Sequence, residues 1–189
     1  MEHKEIKARS LLGKYIAKAL AEQYNKVAIL LVKDNFCYSL ASSIYSNLFG
    51  IKKVDLFLID DLELVASKIA KDYDGVLLLI GKNTKDDKVK EITLEVINQL
   101  KAENYEGDFI FHMRISKAMN NFFDLNNSLK NYLLERVYSY KINFQEGTIE
   151  IYYVDLEKNS IEVVREIDTD FEFVKNAVEV YAKKQLKIE

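Results

Sequence analysis

Five consecutive apolar residues, Val76 to Ile80, stand between Gly75 and Gly81, with segments of helical spacing on either side. A strand with one wet face alternates apolar and polar residues, whereas an unbroken run is covered on both faces. This one therefore belongs at the middle of a parallel sheet. The polar stretch after it, Gly81-Lys-Asn-Thr84, leads into the next helical pattern, where α/β sheets place their sites.

Similar units surround this run. Leu12, Ile16, Ala19 and Leu20 repeat at helical spacing within a helix predicted over Ile6 to Tyr24, followed by a strand over Lys26 to Lys33. Asp34 is placed to cap a helix from Asn35 to Phe49, and Gly50 stands where helices stop. A strand over Val54 to Ile59 precedes a helix opened by Asp60 and Glu63. After the central run, Asp86 or Asp87 begins a helix to about Asn104. Phe109 to Ser116 alternates in the manner of a strand with one polar face, carrying His112, Arg114 and Ser116, and so predicts a position near an edge. Gly50, Gly75 and Gly107 fall at helix-to-strand junctions one βα unit apart.

The resulting expectation is a three-layer α/β fold, Rossmann-like or flavodoxin-like, with a parallel sheet of about four strands over residues 1–116. Residues 117–189 read as a helical stretch to about Tyr140, a β-meander over Lys141 to Ile167, and a last helix opened by Asp170, all packed on that core. Glu162, Arg165 and Glu166 would blunt the meander's edge.

Composition narrows the partners. A net charge of −3, with 27 basic residues that are nearly all lysine, disfavours nucleic acid. No stretch reaches the roughly 18 to 20 apolar residues of a membrane span, and the start of the chain lacks a signal-like run, so the chain is expected in the cytoplasm. One cysteine, Cys37, cannot form an internal disulfide and agrees with a reducing compartment; it reads as a packed helix residue. One cysteine and two distant histidines do not build a zinc site.

Residues just past the strands give the candidate site. Asp34, Asn35, Ser39, Lys82, Asn83, Thr84 and Arg114 predict a pocket for a small anionic or phosphorylated ligand, a nucleotide or sugar phosphate, at helix N-termini. No dinucleotide or P-loop fingerprint is present, and no catalytic residue is assigned. A second reading joins Asp34, Asp60 and Asp61 into a magnesium site for a phosphohydrolase or nuclease, against the alternative that Asp34 and Asp60 are helix caps. A third makes the chain a scaffold or homo-oligomer working through the meander.

Two partial resemblances bear on these readings. The order helix, strand, helix, strand, then Asp74-Gly-Val-Leu-Leu-Leu-Ile-Gly-Lys-Asn-Thr-Lys-Asp86, resembles sugar isomerase (SIS) domains, which implies a phosphosugar at the third-strand loop; the serine-rich loop of that family is absent. Leu79-Ile-Gly-Lys-Asn-Thr84 is similar to a stretch of TIR-like domains, which would set Glu91 or Glu95 loosely at the catalytic glutamate; those domains begin at their first strand, whereas a helix comes first here. Each covers under half the chain, and neither assigns a family.

Overall fold

The glycine-bounded run forms strand β3, Gly75–Leu79, and every residue in it is buried. In the computed structural model, which describes residues 2–81, 83–178 and 180, β3 lies between β1 (Lys26–Leu31) and β4 (Asp108–Phe111), parallel to both. Among the described residues the sheet has seven strands, in the order β2-β1-β3-β4-β5-β6-β7. β2 (Lys53–Leu58) pairs parallel with β1, and β5 (Val137–Asn143) pairs parallel with β4. β6 (Thr148–Asp155) and β7 (Ser160–Asp168) continue the sheet as antiparallel hairpins.

Alternation along each strand divides the core in two. Val27, Ile29, Leu31, Leu77 and Leu79 face helices α1 (Glu2–Gln23), α2 (Asn35–Leu48) and α7 (Phe171–Ala177). Ala28, Leu30, Val76, Leu78 and Ile80 face α3 (Leu62–Asp72), α4 (Asp86–Ala102) and the shorter α5 (Met113–Ala118) and α6 (Asn127–Leu133). Each fully buried leucine or isoleucine contributes about 1.5–3 kcal/mol, so burying β3 on both faces outweighs any local preference of its residues.

Three expectations are corrected. The sheet is larger than about four strands, because the meander belongs to it: β5 starts at Val137, where Val-Tyr-Ser-Tyr alternates, and the predicted helix to Tyr140 ends at Leu133. The strand over Phe109 to Ser116 stops at Phe111; His112 then caps α5, its Nδ1 accepting from the Arg114 amide at 3.2 Å. β4 is consequently interior, not near an edge. Asp170 does cap the last helix, accepting from the Phe173 amide at 2.8 Å, while the predicted extension to the lysine-rich end lies outside the described residues.

α1 touches both early and late parts of the chain. Ser43 Oγ donates to the Ser10 carbonyl at 2.5 Å, and a Cβ on Gly13 would sit 2.6 Å from Ser43 Cβ, so α1 and α2 approach at backbone distance. At the other extreme, the Asp170 amide donates to Tyr15 Oη at 2.9 Å, Tyr15 meets Phe173 edge-on at 5.3 Å, and Arg165 pairs with Glu22 at 2.5 Å.

Candidate functional site

β1 sends the chain to β2 on one side, and β3 lies on the other, so the fold reverses direction between β1 and β3. Open α/β sheets bind ligands outside the carboxyl ends of the strands at such a point.

Asp34, just past β1, caps α2: its Oδ1 accepts from the Phe36 and Cys37 amides at 2.8 and 2.9 Å. Its carboxylate already supplies the negative charge that a helix N-terminus attracts. Oδ2 is buried without a hydrogen-bond partner and faces Gly81, whose Cβ, if present, would lie 1.6 Å away. Only glycine lets the chain leaving β3 pass this carboxylate.

Arg114, from the first turn of α5, reaches back to the β3–α4 loop. Its guanidinium donates to the Gly81 and Thr84 carbonyls and pairs with Asp86 at 3.2 Å. Ser39, one turn into α2, donates to the Ile6 carbonyl at 3.3 Å. Asn35 and Asn83 are exposed, Thr84 is half-buried, and Lys82 lies outside the described residues.

Arg9 lies over the Phe36 ring, 5.0 Å from its centroid, and pairs with Glu5 at 3.4 Å; both α1 side chains are buried. Arg9 Nε and the buried Ser116 Oγ have no hydrogen-bond partner. The Glu5–Arg9 pair escaped the sequence reading, although Glu5, Arg9, Leu12 and Ile16 fall on one helical stripe and that spacing was a usable signal.

His112 is neutral here. Burial first, then the positive charges of Arg9 and Arg114, hold its pKa down to about 3. An unfolded histidine titrates near 6.5, so the contribution is complete above that pH and is lost as pH falls toward 3. Between pH 7 and 5 the wild type should lose about 2 kcal/mol more than His112→Asn, read from urea unfolding at the two pH values. Equal losses would refute the depressed titration. Cys37 is buried too, and burial followed by Asp34 pushes its thiol up, away from a nucleophilic thiolate.

Asp60 and Asp61 lie in a 3-10 turn, Ile59–Asp61, before α3, and neither side chain caps the turn or the helix. They belong to the opposite face of the sheet from α2 and its cap Asp34. Among the described residues, no group of three histidine, cysteine or acidic side chains is placed to hold a metal ion.

An open cleft of about 280 Å³ lies on that opposite face, between the start of α3 and the side of α4. Val32, Ile59, Leu62 and Ile92 supply apolar wall, while Asp60, Glu63, Lys88, Glu95 and Gln99 supply polar groups. Lys88 is held by Glu91 at 2.6 Å, leaving a surplus of carboxylate. Its α4 residues follow at intervals of four, three and four, a single helical stripe. No helix of the described residues is long and apolar enough to cross a membrane.

No curated protein matches the sequence. Among solved structures, an extracellular ligand-binding receptor from Verminephrobacter eiseniae is similar at 11% identity and TM-score 0.46, over 93% of this chain and 44% of that one. An ABC transporter substrate-binding protein from Desulfitobacterium hafniense gives 17% identity and TM-score 0.48 over 92% and 43%; such a protein solved in complex with Leu gives 18% and 0.45 over 92% and 43%. The chain thus spans less than half the length of these proteins.

The functional expectations are corrected from the geometry within the chain. Within the chain, the nucleotide or sugar-phosphate pocket fails because Asp34 already occupies the α2 N-terminus, Ser39 donates to α1, and Arg114 donates to backbone carbonyls. The magnesium reading fails because Asp34, Asp60 and Asp61 do not assemble. A family model described as "Uncharacterized protein" matches residues 5–175, and the chain belongs to that family.

Proposed function

We propose that the chain is a binding module for a small molecule with an ammonium group and an aliphatic body, α-amino acids being the class, held in the α3–α4 cleft. The carrying observation is the lining: four apolar side chains closed in by Asp60, Glu63 and Glu95 at the carboxyl edge of the sheet. Carboxylates favour a cation, and Lys88, already held by Glu91, is placed to meet a carboxylate at the rim. Size decides against a nucleotide. Pockets for drug-sized ligands run to about 300–1,000 Å³, and about 280 Å³ fits a smaller guest. The buried Cys37 supports a cytoplasmic setting as part of this reading.

Calorimetric titration with leucine, valine and isobutylamine tests it, with inorganic phosphate as the control. Because the carboxylates are exposed and each contact is worth about 0.2–1 kcal/mol, Glu63→Gln/Glu95→Gln should weaken leucine binding about three- to tenfold. Phosphate binding in preference to all three amines, or no loss in the double variant, would remove the reading.

A further inference from the structure

A second hollow lies at the opposite edge of the sheet, where β4 and β5 begin. Lys101 from the last turn of α4, Asn104, Tyr105 and Glu106 from the loop after it, Tyr132 from α6, and Arg136 just before β5 line about 290 Å³ of open space. The sheet builds this corner. The Phe109 amide donates to the Arg136 carbonyl at 2.8 Å, extending the parallel pairing of β4 with β5 and fixing Arg136 beside the loop. Its guanidinium donates to the Tyr105 carbonyl at 3.0 Å and to the Tyr132 carbonyl, and lies 4.6 Å from the centroid of the Tyr132 ring. Tyr132 Oη donates to the Tyr105 carbonyl at 2.9 Å, which holds that ring in place. Lys101 Nζ stands 5.5 Å from the same centroid and donates to Ser128 Oγ at 2.9 Å and to the Ser128 carbonyl at 3.3 Å. Two cations thus share one ring and one hollow.

Both are positioned, and neither is neutralised. Among the described residues no carboxylate pairs with Lys101 or Arg136. Asp108, whose charge Arg136 feels, accepts from Tyr24 Oη at 2.9 Å instead. Arg114 differs, because Asp86 meets its charge. A guanidinium has five N–H groups and an ammonium three, so the bonds to backbone and Ser128 leave donors on each for a guest.

Charge and size fix the guest's class. Lys101 and Arg136 set against Glu106 leave one positive charge on the lining. A carboxylate brings one negative charge and two acceptor oxygens, and its hydrogen bonds to ionised donors are among the strong ones. Sulfate brings one charge too many. A space of about 290 Å³ suits a small molecule.

We propose that the hollow between the end of α4, Tyr132 and Arg136 is a second binding site, which takes the anion of a small monocarboxylic acid between Lys101 Nζ and the Arg136 guanidinium. Glu106 stands beside the guest and opposes its charge.

Isobutyrate is the probe, with isobutylamine and sulfate as controls. In ¹⁵N-labelled full-length chain, isobutyrate should move the Arg136 Nε–H resonance saturably, with a dissociation constant in the millimolar range that weakens as sodium chloride is raised. Isobutylamine should leave the resonance unmoved, and sulfate should bind at least about threefold more weakly. Lys101→Met keeps an apolar stem on Tyr132 without the charge, and should weaken isobutyrate about threefold or more. Glu106→Gln should tighten it about twofold, a gain that loss of structure would not produce. Glu63→Gln/Glu95→Gln should bind isobutyrate as wild type does, which separates this site from the α3–α4 cleft. No saturable shift, an equal response to isobutylamine or sulfate, full affinity in Lys101→Met, or no gain in Glu106→Gln would overturn the assignment.

Discussion

Phe111→Ala is expected to remove about 3–5 kcal/mol of folding free energy, a large share of the roughly 5–15 kcal/mol that a domain of this size has. Phe111 ends β4, is fully buried, stacks on Phe109 at 5.8 Å and meets Phe122 at 4.4 Å. Deleting the ring leaves a void that this rigid aromatic group cannot refill. The residue also lies directly before His112, the cap of α5, so the loss should spread to the turn that positions Arg114. Urea unfolding should give a lower midpoint with an unchanged slope, and hydrogen exchange should show α5 opening first. A cost below about 1.5 kcal/mol would mean that the cluster repacks.

Gly81→Ala should cost about 3 kcal/mol, and most of that should vanish when Asp34 is shortened. The new Cβ would lie 1.6 Å from Asp34 Oδ2 and 2.5 Å from its Cγ, so the carboxylate has to leave the α2 amides. Losing a cap costs about 1–2 kcal/mol, and displacing a buried carboxylate adds to it. In an Asp34→Ser background, which keeps a capping oxygen on a shorter side chain, Gly81→Ala should cost under about 1 kcal/mol. The coupling of about 2 kcal/mol is the quantity to measure in a double-mutant cycle; strictly additive costs would disprove the contact.

The sheet's centre could be read from residue order because burial on two faces leaves a mark that needs no tertiary knowledge. Val76 to Ile80 had no polar position to spend on water, and the glycine spacing fixed the crossover length. The Asp34 cap was visible for the same local reason. Phe109 to Ser116 misled because alternation over eight residues fits a strand as well as a short strand, a cap and one helical turn; only the His112 side chain bonding to the Arg114 amide distinguishes them. Val137 to Tyr140 misled in the opposite direction, since its partner β4 lies 28 residues upstream and no local rule calls for it. At the site, residue types were legible and their commitments were not. Arg114 looked free for an anion, yet its donors go to backbone carbonyls that no inspection of residue order would pair with it. The α3–α4 cleft was missed because Ile92, Glu95 and Gln99 lie within α4, not in the loops that directly follow the strands.

The long clasp between α1 and the end of the chain bears on how the protein is made. Tyr15 and Asp170 are 155 residues apart, so at about 5–20 residues per second a ribosome delivers the second roughly ten to thirty seconds after the first. During that interval α1 can settle on α2, but the aromatic face of Tyr15 and the carboxylate of Glu22 wait for partners not yet synthesised. Nascent chains should therefore pass through a long-lived half-closed species, and a stall before Phe173 emerges would leave the first helix as the segment a holdase chaperone grips.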